Sequence, residues 1–165
     1  MRNFISTIKT KINATKVAVA GSIATLAGIP QAYCLKDANG MIRDTKDIAI
    51  IAQTILDNTK DENSKSGDDF WDKSAMALLC ACIGYLYEVC PQEQQNLSNV
   101  LELLKTDKHE ENEQPGTLSD FDEMFETLGE ANPISYAYQC YSTYIQTPVK
   151  TRNSILISTS IRLQQ

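Results

Sequence analysis

The chain has 165 residues, of which 42% are hydrophobic, 22% charged and 7% aromatic. That is an ordinary globular composition, which argues against wholesale disorder and fits one domain with a sizeable core. Seven glycines and five prolines are too few for a loop-rich all-β fold, and a net charge of −6 disfavours non-specific binding to a polyphosphate backbone.

The charge is unevenly spread. Arg2, Lys9, Lys11 and Lys16 stand in a first stretch without acids, Asp57 to Glu130 is strongly acidic, and the tail beyond Glu130 carries Lys150, Arg152 and Arg162 and again no acids. An acidic middle suits contact with a basic protein better than with naked DNA, and its plainer reading is a solvated surface. Residues 1–40 read as a leader and connector. The basic stretch runs into an apolar segment, Val17 to Ile29, then Pro30, with small residues near a cleavage point at Ala32. This resembles an export signal. It is short for a transmembrane helix, which needs about 20 apolar residues. A core helix or a foreign leader is the other reading. Asn39-Gly40 is a turn pair that closes the connector.

From residue 41 to 165 the pattern predicts one all-α domain, a compact bundle of about five to seven helices. Asp47 can cap a run in which Ile48, Ile51, Ala52, Ile55 and Leu56 repeat at helical spacing. A polar loop, residues 58–67, separates it from the strongest helix. Asp69 is the expected cap there, with Asp72 three residues on as a short capping box. Phe70, Trp71, Met76, Leu78, Leu79, Cys82, Ile83, Leu86 and Tyr87 then give apolar surface nearly all round, the mark of a central, buried helix. Pro91 stops it. Asn96 or Ser98 opens the next helix, with Leu97, Val100, Leu101 and Leu104 on one side. Thr117 or Ser119 caps a helix with Phe121, Met124, Phe125 and Leu128, ending near Gly129. Asn132-Pro133 reads as cap plus first-turn proline, and Thr147-Pro148 repeats that signal. Between them, Tyr138, Tyr141 and Tyr144 recur every third residue and form a slowly drifting stripe, with Tyr136 off it. Core packing is the favoured reading of that stripe, an aromatic contact surface the other. The last run, residues 154–163, is rich in β-branched residues, but the cap before it favours a helix. Burial is expected to centre on Phe70, Trp71, Leu78, Leu79, Leu86, Leu101 and Leu104.

No catalytic, cofactor or metal site can be assembled from these residues, and the expectation is that the chain is not an enzyme. There is no GxxxxGK[ST] and no GxGxxG loop to cradle phosphate. The single histidine, His109, sits in a charged loop. The carboxylate pairs Asp68/Asp69 and Glu110/Glu111 lack the apolar setting that raises a catalytic pKa. An EF-hand counted from Asp61 fails at Ser66 and Asp72. The five cysteines, Cys34, Cys80, Cys82, Cys90 and Cys140, contain no CxxC pair, which speaks against zinc. Cys80, Cys82 and Cys90 are read as buried and reduced.

From Gly67 to Leu79 (GDDFWDKSAMALL) the chain resembles the start of the all-alpha domain in coupling proteins of type IV secretion systems, the conjugative DNA-transfer ATPases. Residues 41–47 (MIRDTKD) are similar to that family's lead-in, residues 96–104 (NLSNVLELL) to its next helix, Pro133 through Tyr144 to its tyrosine-containing helix, and residues 154–163 (SILISTSIRL) to the segment leading back to the ATPase core. The likeness runs from Met41 to Leu163. It implies an all-alpha, substrate-recognition domain on the cytoplasmic side of a hexameric motor at the inner face of the cell membrane. The implied partners are a relaxase, relaxosome accessory proteins and the DNA itself. The ATPase motifs that flank this domain in a full coupling protein are not in the sequence, so ATP hydrolysis is not carried over. The expectation is an isolated domain or truncated product. The alternative is an exported or membrane-tethered structural helical protein.

Overall fold

The computed structural model describes residues 45–59, 69–107 and 118–164. They fold as six α-helices: α1 (Thr45–Asn58), α2 (Asp69–Val89), α3 (Leu97–Leu104), α4 (Asp120–Ala131), α5 (Tyr136–Tyr144) and α6 (Val149–Arg162). One 3-10 turn, Gln92–Gln94, follows Pro91. No strand occurs among the described residues, so the all-α bundle expected from the helical spacing is what forms. The leader, Cys34, Asp61, Ser66, Asp68, His109, Glu110, Glu111 and Thr117 lie outside the described residues.

α2 is the axis. It packs against α1, α3, α5 and α6, which is why its sequence is apolar on nearly every side. Leu78, Leu79, Cys82, Tyr85 and Leu86 are 0–1% exposed. α1 supplies Ile48, Ala52 and Leu56, and α3 supplies Val100, Leu103 and Leu104. α4 and α5 add an aromatic cluster. Phe125 stacks on Tyr141 with centroids 4.7 Å apart and touches Phe121 and Tyr85 at 4.7 and 5.0 Å. These are the offset and tilted contacts that aromatic pairs favour. The approach of α5 to α2 is close because Gly84 has no side chain: a Cβ there would sit 3.1 Å from the Ala137 Cβ.

Local chemistry sets the ends. Asn96 caps α3, its side chain accepting from the Asn99 N–H at 3.0 Å. Ser119 caps α4 in a full capping box with Asp122. Other ends differ from expectation. α1 starts at Thr45, which puts Asp47 in its first turn rather than at its cap. Asp69 is the first residue of α2, not a residue ahead of it. Asn132 ends α4, its N–H donating to Leu128 O, and Ser135 starts α5 by accepting from the Tyr138 N–H. A polar residue before a proline satisfies both the stop rule and the start rule, and here the stop is used. Pro148 occupies the cap position of α6 without any side-chain cap.

The expected burial needs one larger correction. Phe70 is 53% and Trp71 39% exposed, packed edge to face on each other at 5.8 Å. They lie in the first turn of α2, while the helix becomes buried from Ser74 onward. Leu101 is half-buried, and its neighbours Val100, Leu103 and Leu104 carry the α3 contact. Leu78, Leu79, Leu86 and Leu104 are buried as expected.

Candidate docking surface

Inside the bundle, a polar seam joins the segment after α3 to α4, α5 and α6. Asp122 Oδ2 accepts from the Ser119 backbone N–H at 3.1 Å and from its hydroxyl at 3.0 Å. Its other oxygen accepts the Tyr141 hydroxyl at 2.9 Å and lies 3.7 Å from the Arg152 guanidinium. Tyr144 donates to Asp107 Oδ2 at 2.9 Å, and its ring lies under the Arg152 guanidinium, 6.0 Å from the centroid. Arg152 and Asp122 keep only 10% and 5% of their side-chain surface in contact with water. Burial raises the phenol pKa of Tyr141 and of Tyr144, and the Asp122 and Asp107 charges raise them further. Both hydroxyls therefore remain donors at any physiological pH. The tyrosine stripe is thus core packing with polar tips: Tyr141 and Tyr144 are 1% exposed and Tyr138 is half-buried.

Of the seam, only its tyrosines and Ser119 were singled out from the sequence. Asp122 carries a signal, since it stands three residues after the Ser119 cap, the spacing of a capping box. Arg152 and Asp107 carry none, because their partners are distant in the chain. The seam fixes how α4, α5 and α6 sit. Both Asp122 oxygens are engaged in that task.

A second buried carboxyl serves α5. Glu88 of α2 accepts the Ala137 N–H at 3.1 Å, so one helix caps the first turn of another. Burial raises its pKa above the usual carboxylate range, against hydrogen bonds from Ser135, Ala137 and Tyr136 that lower it. A carboxyl with a raised folded pKa favours the native state most when protonated. That contribution is full below its unfolded pKa, about 4.3, and fades as pH rises through the folded value. The melting temperature of Glu88→Gln minus that of the wild type is therefore expected to increase between about pH 4 and pH 7. A difference that stays flat or falls across that range contradicts the assignment.

Two faces of the outer surface stand out. On α4, Asp120, Glu123 and Glu130 are exposed and Glu126 is half-exposed, and they share one side of a helix without a basic residue. At the start of α2, Phe70 and Trp71 offer an exposed aromatic pair. Beside them, Asp72 meets Arg162 at the end of α6 at 3.3 Å. The stripe of α6 that faces water carries Ile157 and Ile161, 61% and 53% exposed. Among the described residues there is no group of three or more His, Cys, Asp or Glu side chains placed to hold a metal, and no helix long and apolar enough to cross a membrane. Cys80, Cys82 and Cys90 are buried, and Cys140 is half-buried.

No curated protein and no solved structure matches the chain significantly. The family model described as type IV secretory system conjugative DNA transfer matches residues 30–165. That span contains the whole stretch, Met41 to Leu163, on which the resemblance to coupling proteins rests, together with all six helices. The chain belongs to the type IV secretory system conjugative DNA transfer family, and its function lies in conjugative DNA transfer.

Proposed function

We propose that this chain is the substrate-recognition domain of a conjugative coupling protein and docks a basic DNA-processing protein, a relaxase or a relaxosome accessory protein, by charge. The reading is of a binding module without catalysis, working at the cytoplasmic face of the membrane as part of a hexameric motor. The observation that carries it is the outer face of α4, where Glu123, Glu126 and Glu130 share one side of a helix that carries no base of its own. The ionisable groups of the seam are turned inward and committed to helix packing, which supports recognition over chemistry.

An acidic face of this kind steers a basic partner over about a Debye length, ~8 Å at physiological salt. The test is binding of purified relaxosome proteins to the full chain across a salt series. Glu123→Lys with Glu130→Lys is expected to weaken binding about tenfold or more at low salt, since like charges now face each other, and to flatten its salt dependence. Both positions are exposed, so the melt should stay near the parent's. Wild-type binding that ignores salt, or a double variant that binds unchanged, overturns the reading.

A further inference from the structure

Two thiols outside the polar seam are brought together where α2 meets α5. Gly84 lies against Ala137, a Cβ at Gly84 falling 3.3 Å from the Ala137 Cα as well as close to its Cβ. One turn further along α2, Glu88 reaches the Ala137 N–H in the first turn of α5. The two helices therefore run in opposite directions, and the residue one turn before Gly84 falls opposite the residue one turn after Ala137. Those residues are Cys80 and Cys140. Their thiols interact with each other and with the Tyr136 hydroxyl. Cys80 is 3% exposed, Cys140 is half-buried, and both are free. Cys82 is fully buried, and burial pushes its thiol pKa well up.

We propose that Cys80 and Cys140 form a redox modification site that takes a two-electron oxidant of the peroxide class and closes to a disulfide joining α2 to α5. Cys80 is the thiol that reacts first, and the half-buried Cys140 beside it is its resolving partner. The Cys80 sulfur attacks one peroxide oxygen, the O–O bond breaks, and a sulfenic acid and one water result. The Cys140 sulfur then attacks the Cys80 sulfur, the S–O bond breaks, and the departing hydroxide takes the Cys140 proton as a second water. Two thiols lose two electrons and hydrogen peroxide gains them. Hydrogen bonds from Cys140 and Tyr136 hold the Cys80 thiol pKa down, which suits it to the first step, while the Cys80 thiol and burial hold that of Cys140 up.

The bond would tie the first turns of α5 to the central helix and close a long loop that contains α3 and α4. The experiment is treatment of the whole chain with hydrogen peroxide, followed by peptide mapping under non-reducing conditions and a thermal melt. The expected result is a Cys80–Cys140 cross-linked peptide, a mass lower by two hydrogens, and a melting temperature higher by roughly 4 °C or more. All three should revert with dithiothreitol and be absent in Cys140→Ser. A wild type whose Cys80 proceeds to the sulfinic acid without linking overturns the proposal. So does a link between other cysteines, or a mass loss that persists in Cys140→Ser.

Discussion

Replacing Asp122 with alanine is expected to lower stability by about 3–5 kcal/mol, the usual cost of removing one partner from a buried ion pair. For a domain of this size that is a fall of roughly 6–20 °C in melting temperature. Three losses coincide. The Ser119 backbone N–H and hydroxyl lose their acceptor, which breaks the capping box of α4 and by itself costs about 1 kcal/mol. The Tyr141 hydroxyl, buried among rings, loses its acceptor. The Arg152 guanidinium stays buried with the Asp122 carboxylate, 3.7 Å away, gone. Asp122→Asn separates these effects. An amide oxygen can still accept from Ser119 or Tyr141, but it carries no charge for Arg152. Its melt should fall between the wild type and Asp122→Ala. The measurement is thermal or urea unfolding of the three proteins at neutral pH. If Asp122→Ala melts within a degree or two of the parent, the seam does not hold α4, α5 and α6 together.

How much of this was legible in the sequence depends on the range of the forces. Caps and helical repeats are local. Asn96 and Ser119 were therefore readable from a few neighbouring residues, and so was the helix of residues 154–163 despite its β-branched content. Asn132-Pro133 was misread because a polar residue before a proline fits both a helix end and a helix start, and only the position of Ser135 decides between them. Arg152 was invisible for another reason. An arginine in the first turn of a helix looks solvated unless Asp122, on another helix, and Tyr144 are known to lie beside it. The Cys80–Cys140 pairing is of the same kind, since it depends on Gly84 letting α5 close on α2. The resemblance to conjugative coupling proteins was legible because it is carried by order and spacing over most of the chain, which the family match at residues 30–165 also spans.

The largest misreading, that Phe70 and Trp71 head the core, leads to the second strong prediction. Apolar residues on every side of α2 show that several helices surround it, but not where along its length they begin. The neighbours cover it from Ser74 onward, and the first turn protrudes. Leu79→Ala, at a position with no exposed surface, should therefore cost about 2–5 kcal/mol from lost transfer energy plus the cavity left behind. Trp71→Ala, despite removing a far larger side chain, should cost about 1 kcal/mol or less, because over a third of that residue already faces water and the vacated space fills with solvent. Unfolding curves of the two variants give the ordering directly. If Trp71→Ala proves the more damaging, the start of α2 is covered in solution. If both melt near the parent and only Trp71→Ala loses relaxosome binding, the exposed aromatic pair is a contact for the partner that the acidic face of α4 attracts, and α2 is less central than its packing against four helices implies.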